Sequence, residues 1–250
     1  MDDATSLTGR TVLITGAAVR VGAAMARAFH AAGANLVLHY RSSVAQAQTL
    51  ADELEVVRRG STQLVRANLL DTTYLPTIVQ SALTAFGRLD VLVNNASSFY
   101  PTPVGSITEQ QWQDLMGSNV KAPLFLSQAA APHLRVVKGQ IINIVDIHGT
   151  RPLRNHPVYS TAKAALVMLT RSLAKELAPE IRVNGIAPGP VLWPVTGADE
   201  ELRANIVDRT LLKRMGSPDD IARTALFLAA NAPFMTGQIL AVDGGRSVAW

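Results

Sequence analysis

Tyr159, Ser160, Thr161, Ala162 and Lys163 form a Tyr-x-x-x-Lys segment, and the i, i+4 spacing puts phenol and ammonium on one face of a helix. A phenol with an ordinary pKa of about 10 is a poor acid–base at neutral pH unless its anion is stabilised. A lysine one turn away would supply that stabilisation, so the pair reads as a proton donor with its electrostatic support. Asp146 follows the apolar run Ile141–Val145, where it is either a second titratable group or a strand-end turn residue. Asn119 is read as beginning a helix and joins this polar set.

A second constellation lies at Thr15–Gly22 (TGAAVRVG), between the first strand-like run and the first helical pattern. Gly16 permits a tight turn, small residues let the backbone approach a phosphate, and Gly22 allows the helix to pack closely on the sheet. A turn selecting NAD would be followed about 20 residues on by an acid that binds the ribose 2′-hydroxyl. Here the second strand ends in His39-Tyr40-Arg41-Ser42-Ser43, a guanidinium and two hydroxyls suited to a 2′-phosphate. Arg20, where a third glycine is usual, could reach the same phosphates; otherwise Arg20 and Arg41 are solvated surface charges. The expected cofactor is NADPH/NADP+ rather than NAD(H).

These residues need a scaffold that brings strand ends together. The strand candidates are Thr11–Thr15, Asn35–Tyr40, Thr62–Ala67, Val91–Asn94, Gln140–Val145, Arg182–Ile186 and Gln238–Val242. Helical patterns lie between them at Val21–Ala32, Val44–Arg59, Thr73–Phe86, Thr108–Pro132, Tyr159–Leu177 and Pro218–Asn231. Continuous apolar strands imply a sheet buried on both faces, and strand–helix alternation implies right-handed crossovers. The fold class is α/β: a doubly wound, Rossmann-type parallel sheet of about seven strands with helices on both faces. No linker or repeat divides the chain, so residues 1–250 read as a single catalytic domain. Gly33 suits a helix C-cap, Thr108 with Gln111 a capping box, and Ser217-Pro218-Asp219-Asp220 a helix start. Gly189–Asp199 lacks regular patterning and is a candidate lid, within a substrate loop of about 189–213.

Composition narrows the function classes. The 250 residues are 48% hydrophobic and 17% charged, enough apolar content for a large core. There is no cysteine, which excludes disulfides, thiolate metal sites and a cysteine nucleophile. His133, His148 and His156 have neither metal-ligand spacing nor an accompanying carboxylate cluster, so no metal is expected. No secretory leader or membrane span is read in the chain, and a cytoplasmic protein is expected. The formal charge of +4 does not argue for nucleic acid, but its distribution is informative. Residues 4–51 contain four arginines and no acid, and they include both turns that would hold an adenosine 2′-phosphate. Helices Asn119–Pro132 and Tyr159–Leu177 are richer in Ala, Leu and Val than one buried stripe needs, as oligomer faces would be.

The combination of TGAAVRVG, Asn94-Asn95-Ala96-Ser97, Asn119, Tyr159/Lys163, Asn184-Gly185, Ala187-Pro188-Gly189 and Val242-Asp243-Gly244-Gly245 resembles the short-chain dehydrogenase/reductase family over essentially the whole chain. Arg20, Ser97 and Asp146 stand where that family usually has Gly, Gly and a catalytic Ser. Together with NNASSFYPTP (Asn94–Pro103), HYRSS and PGPVLWP, they resemble the pteridine reductase branch, especially bacterial pteridine and dihydromonapterin reductases. The resemblance implies that Tyr159 is the acid–base, that Lys163 binds the nicotinamide ribose and lowers the tyrosine pKa, and that Asn119 supports a water feeding protons to the lysine. Asp146 would help protonate a ring nitrogen. It implies cofactor contacts from Gly16, Arg20, Val21, Gly22, Tyr40, Arg41, Ser42, Ser43, Asn68, Leu69, Asn95, Ala96, Ser97, Tyr159, Lys163, Pro188, Gly189 and Val191. The substrate, a pterin or folate, would meet Arg20, Ser97, Phe99, Asp146, Tyr159, Leu192 and Trp193, with Phe99 stacking the ring against the nicotinamide. Asn68 departs from the aspartate usual for the adenine contact. A homotetramer is also implied. Two other readings stay open: a ketoreductase of an acyl or sugar carbonyl, and a non-enzymatic NADP(H) sensor. His156, seven before Lys163 where an enoyl reductase would have Tyr, speaks against that activity.

Overall fold

The computed structural model describes residues 5–192 and 200–249. Seven parallel strands form one sheet in the order β3-β2-β1-β4-β5-β6-β7. They are β1 Thr11–Ile14, β2 Asn35–Tyr40, β3 Thr62–Arg66, β4 Val91–Asn94, β5 Gln140–Ile144, β6 Arg182–Pro188 and β7 Ile239–Val242. The helices are α1 Arg20–Ala31, α2 Val44–Val57, α3 Leu75–Phe86, α4 Glu109–Met116, α5 Ala122–Val136, α6 Pro157–Leu177, α7 Glu200–Asp208 and α8 Pro218–Ala230. This is the doubly wound α/β architecture that the strand–helix alternation implies.

The strands read as unbroken apolar runs because alternate residues serve two cores. Val12, Ile14, Leu36, Leu38, Val91 and Val93 meet Met25 and Phe29 of α1, Leu50 and Leu54 of α2 and Leu228 of α8. Leu13, Val37, Leu92 and Ile141 face the other way, against Ile78 of α3, Leu126 and Leu134 of α5 and Ala174 of α6.

Some elements differ from the sequence reading. Thr108–Pro132 is not one regular helix: a π turn at Gly117–Lys121 joins α4 to α5, so Asn119 lies inside a helical run rather than at its start. Helix α7 was not expected within the substrate loop. Its sequence, EELRANIVD, is too polar to show an apolar stripe. Of the candidate lid, residues 193–199, including Trp193, lie outside the described residues.

Candidate active site

All strands point the same way, so their C-terminal ends collect loops along one edge of the sheet. The chain order reverses between β1 and β4, the crevice where open α/β sheets bind ligands. A cavity of about 410 Å³ runs along this edge from Arg41 to Tyr159.

At one end, Asp146 follows β5 in extended conformation and divides its two oxygens. Oδ1 accepts from the His148 backbone N–H at 2.8 Å, and Oδ2 accepts from the Tyr159 hydroxyl at 2.7 Å. Asp146 is therefore both a turn residue and the partner of the tyrosine. Tyr159 and Lys163 are buried on the sheet-facing side of α6. Lys163 Nζ donates to the Ile144 carbonyl at 3.0 Å and lies 5.6 Å from the Tyr159 ring centroid.

The electrostatics correct one expectation. Burial, followed by the charge and hydrogen bond of Asp146, raises the Tyr159 phenol well above its ordinary value. Hydrogen bonding from Ser97 opposes this shift, and nearby Lys163 does not reverse it. Lys163 itself is lowered to about 8 by burial, with Asp146 pulling in the other direction. The protein thus holds a protonated phenol against a carboxylate, beside a buried amine that titrates near neutrality. That arrangement keeps the phenol protonated and disfavours tyrosinate unless positive charge lies beside it.

Asn119 reaches the site through Ser97. The Ser97 hydroxyl donates to Asn119 Oδ1 at 2.7 Å, while Asn119 Nδ2 donates to the Ser98 and Leu115 carbonyls. Its hydrogen bonds thus run to the Ser97 loop and to Leu115 of α4. Phe99, 52% exposed on that loop, stands edge-on to Tyr159 with ring centroids 4.8 Å apart. His156 stacks parallel on one face of Phe99 at 4.9 Å. The Thr102 N–H donates to the Asn155 carbonyl at 2.6 Å, which ties the two loops behind the stack.

The other end of the cavity is built for an anion. Helix α1 begins without a side-chain cap and without an acid in its first turn, and its first residues Arg20, Val21 and Gly22 line the cavity. Arg20 adopts φ +55°, a left-handed conformation in which glycine is unstrained. Glycine 22 is required by close approach: a Cβ there would fall 2.1 Å from the Gly16 carbonyl oxygen and 2.9 Å from Asn95 Nδ2. It therefore packs on the turn rather than on the sheet. Asn95 Nδ2 donates to the Thr15 and Gly16 carbonyls, so this side chain fixes the turn.

Arg20, Val21, Gly22, Tyr40, Arg41, Ser42, Ser43, Asn68, Leu69, Ala96, Ser97 and Pro188 all line the cavity. Ser43 occupies the N-cap position of α2 without a capping bond from its side chain. Asn68 Oδ1 accepts from the Leu70 N–H at 3.2 Å. Gly189, Val191 and Leu192 do not line the cavity. Gly189 packs against Asp243 at the end of β7, and Val191 lines a separate cavity beside α8.

Among the described residues on the wall, Arg20, Arg41 and Lys163 are basic and Asp146 is the one acid. This donor set, with an uncapped helix end, suits a polyanionic dinucleotide whose reactive ring lies toward Tyr159. His39 and His156, to which the sequence reading gave no place in the site, join this architecture. The available signal for His39 was a polar side chain inside the apolar run NLVLHY. No cluster suited to a metal occurs among the described residues. No helix described is long and apolar enough to cross a membrane.

A family model described as Enoyl-(Acyl carrier protein) reductase matches residues 16–247. Pteridine reductase 1 of Leishmania tarentolae is 35% identical over 98% of this chain and 98% of its own length. The 3beta-hydroxysteroid dehydrogenase 1 of Eggerthella lenta is 34% identical over 97% and 95% respectively. A 3-oxoacyl-(acyl-carrier-protein) reductase of Staphylococcus aureus is 32% identical over 94% and 97%.

Proposed function

Because the chain belongs to the short-chain dehydrogenase/reductase family, whose members are oxidoreductases using NAD(P)(H), we propose that it is an NADPH-dependent reductase of a pterin or folate C=N bond. The conversion is dihydropteridine to tetrahydropteridine, and the reading extends to oxidised pterin going to dihydropterin. Relatives at 35%, 34% and 32% identity bear names with three different substrates, so overall similarity does not select among them. The observation that carries the reading is the 2.7 Å hydrogen bond between the Tyr159 hydroxyl and the Asp146 carboxylate.

A hydroxyl suits polarisation of a ketone oxygen, whereas a carboxylate beside a protonated phenol suits delivery of a proton to a ring nitrogen. The bound cofactor supplies hydride. Tyr159 and Asp146, joined by their hydrogen bond, supply the proton, Lys163 is the neighbouring cation that offsets the negative charge left on the pair, and Phe99 offers an exposed ring for a flat substrate to stack on. Lys163 would hold the nicotinamide ribose, Arg20 and the start of α1 the phosphates, and Arg41, Ser42 and Ser43 the 2′-phosphate. A homotetramer belongs to the same reading, supported by exposed Phe125 of α5 and Met168 of α6; so does a cytoplasmic location.

The test is NADPH oxidation with dihydrobiopterin, dihydrofolate and an acetoacetyl thioester side by side. Pterin or folate turnover is expected; turnover of the thioester alone would make the protein a ketoreductase. Arg41→Glu tests the cofactor choice by placing a carboxylate where a cation faces the cavity. It should cut the preference for NADPH over NADH by about 10- to 100-fold, corresponding to about 1.4 to 2.7 kcal/mol. An unchanged ratio of kcat/KM values removes Arg41 from the phosphate site.

A further inference from the structure

His39 is the penultimate residue of β2, 2% exposed, and both of its ring nitrogens have partners. Nδ1 accepts from the Gly16 N–H at 3.2 Å, and Nε2 lies 3.2 Å from the Ala67 carbonyl oxygen. An amide can only donate and a carbonyl can only accept, so these partners fix the neutral Nε2–H tautomer. Burial agrees, pushing the imidazole down to about 4. Backbone bonds reinforce both joints: Ala17 N–H donates to the His39 carbonyl at 2.9 Å, and Ala67 N–H to the Tyr40 carbonyl at 3.1 Å.

The two partners lie on either side of the adenosine end of the cavity. Gly16, on the cavity wall, begins the turn that leads into α1, and Ala67 precedes Asn68 on the same wall. Asn95 grips the same turn from the β4 side through the Thr15 and Gly16 carbonyls. The turn is thus held between two side chains, and the His39 side is continuous with Tyr40–Ser43.

We propose that His39 is a positioning residue for the adenosine half of the dinucleotide, acting through Gly16 and Ala67 to set the spacing of the two loops that enclose it. This rests on the dinucleotide part of the reading above and is independent of the pterin.

The experiment measures direct binding of NADPH and of adenosine 2′,5′-bisphosphate by calorimetry, with NADPH turnover alongside. His39→Leu removes both bonds. It should raise the dissociation constants of both probes by about tenfold or more, while kcat at saturating NADPH changes less than about threefold. His39→Asn retains an acceptor near the Nδ1 position, and His39→Gln a donor near the Nε2 position, so both should bind more tightly than His39→Leu. They also report if His39→Leu fails to fold. Variants that all bind both probes within about twofold of wild type overturn the proposal. So do losses of binding and kcat that track only the folded fraction. A wild-type protein that binds neither probe overturns the cofactor reading together with this one.

Discussion

Asp146 is the position on which the proposed choice between a pterin and a ketone substrate turns. Its two oxygens have different partners, so replacing it tests the turn and the tyrosine together. Asp146→Ser would keep a hydroxyl for a ketone oxygen but remove the carboxylate that raises the Tyr159 phenol. Turnover of dihydrobiopterin is expected to fall by about 10²- to 10³-fold, and any turnover of a simple ketone by less than about tenfold. Equal losses on both substrates would reduce Asp146 to a turn residue. The proximity of the candidate site residues was legible because helical spacing and strand ends are local signals: Tyr159, Lys163 and Asp146 come together where such spacing leads. The direction of the tyrosine shift was not legible, because it depends on burial and on a carboxylate thirteen residues away in sequence. His39 was missed for a related reason, since its partners Gly16 and Ala67 are 23 and 28 residues away.

Elements were legible where their ends carry their own chemistry. The Thr108 hydroxyl accepts from Gln111 N–H at 3.3 Å, and the Gln111 side chain accepts from Thr108 N–H at 2.9 Å, the reciprocal box expected from the spacing. Ser217 N–H and its hydroxyl both donate to Asp220 at the start of α8. Thr108→Ala should cost about 1 kcal/mol and lower the thermal midpoint by roughly 2–4 °C, read by calorimetry; an unchanged midpoint would show that α4 does not depend on its cap. The π turn left no comparable mark. A single π turn has no residue type that marks it, so Thr108–Pro132 reads as one helical run, yet Asn119 lies in that turn with its side chain 2.7 Å from the Ser97 hydroxyl. Helix α7 was invisible for the opposite reason, having few apolar residues to show a period.

On the scale of the whole molecule, the sheet gathers the site, and the same burial that shapes the site also couples folding to pH. The continuous apolar strands forecast a sheet covered on both faces, and β1, β2, β4 and β5 each send alternate residues to opposite cores. Nothing in that pattern forecasts a titratable group held neutral between strand ends. His39 is lowered from 6.5 to about 4 in the folded chain. As pH falls through 6.5, the unfolded chain binds a proton that the folded chain still refuses, so stability declines from there until the folded group also titrates near 4. The contribution lost between pH 7 and pH 5 is roughly 2 kcal/mol. Lys163, lowered to about 8, acts at the other limit: the folded chain releases its proton first, so stability gains between about 8 and 10.5 as pH rises. Urea unfolding of wild type and His39→Asn at pH 7 and pH 5 isolates the first effect, because the remaining groups are common to both proteins. The wild type should lose about 2 kcal/mol more than the variant over that interval. Equal losses would mean that His39 titrates alike in the folded and unfolded chains, and that its imidazole does not depend on burial to stay neutral between the two loops.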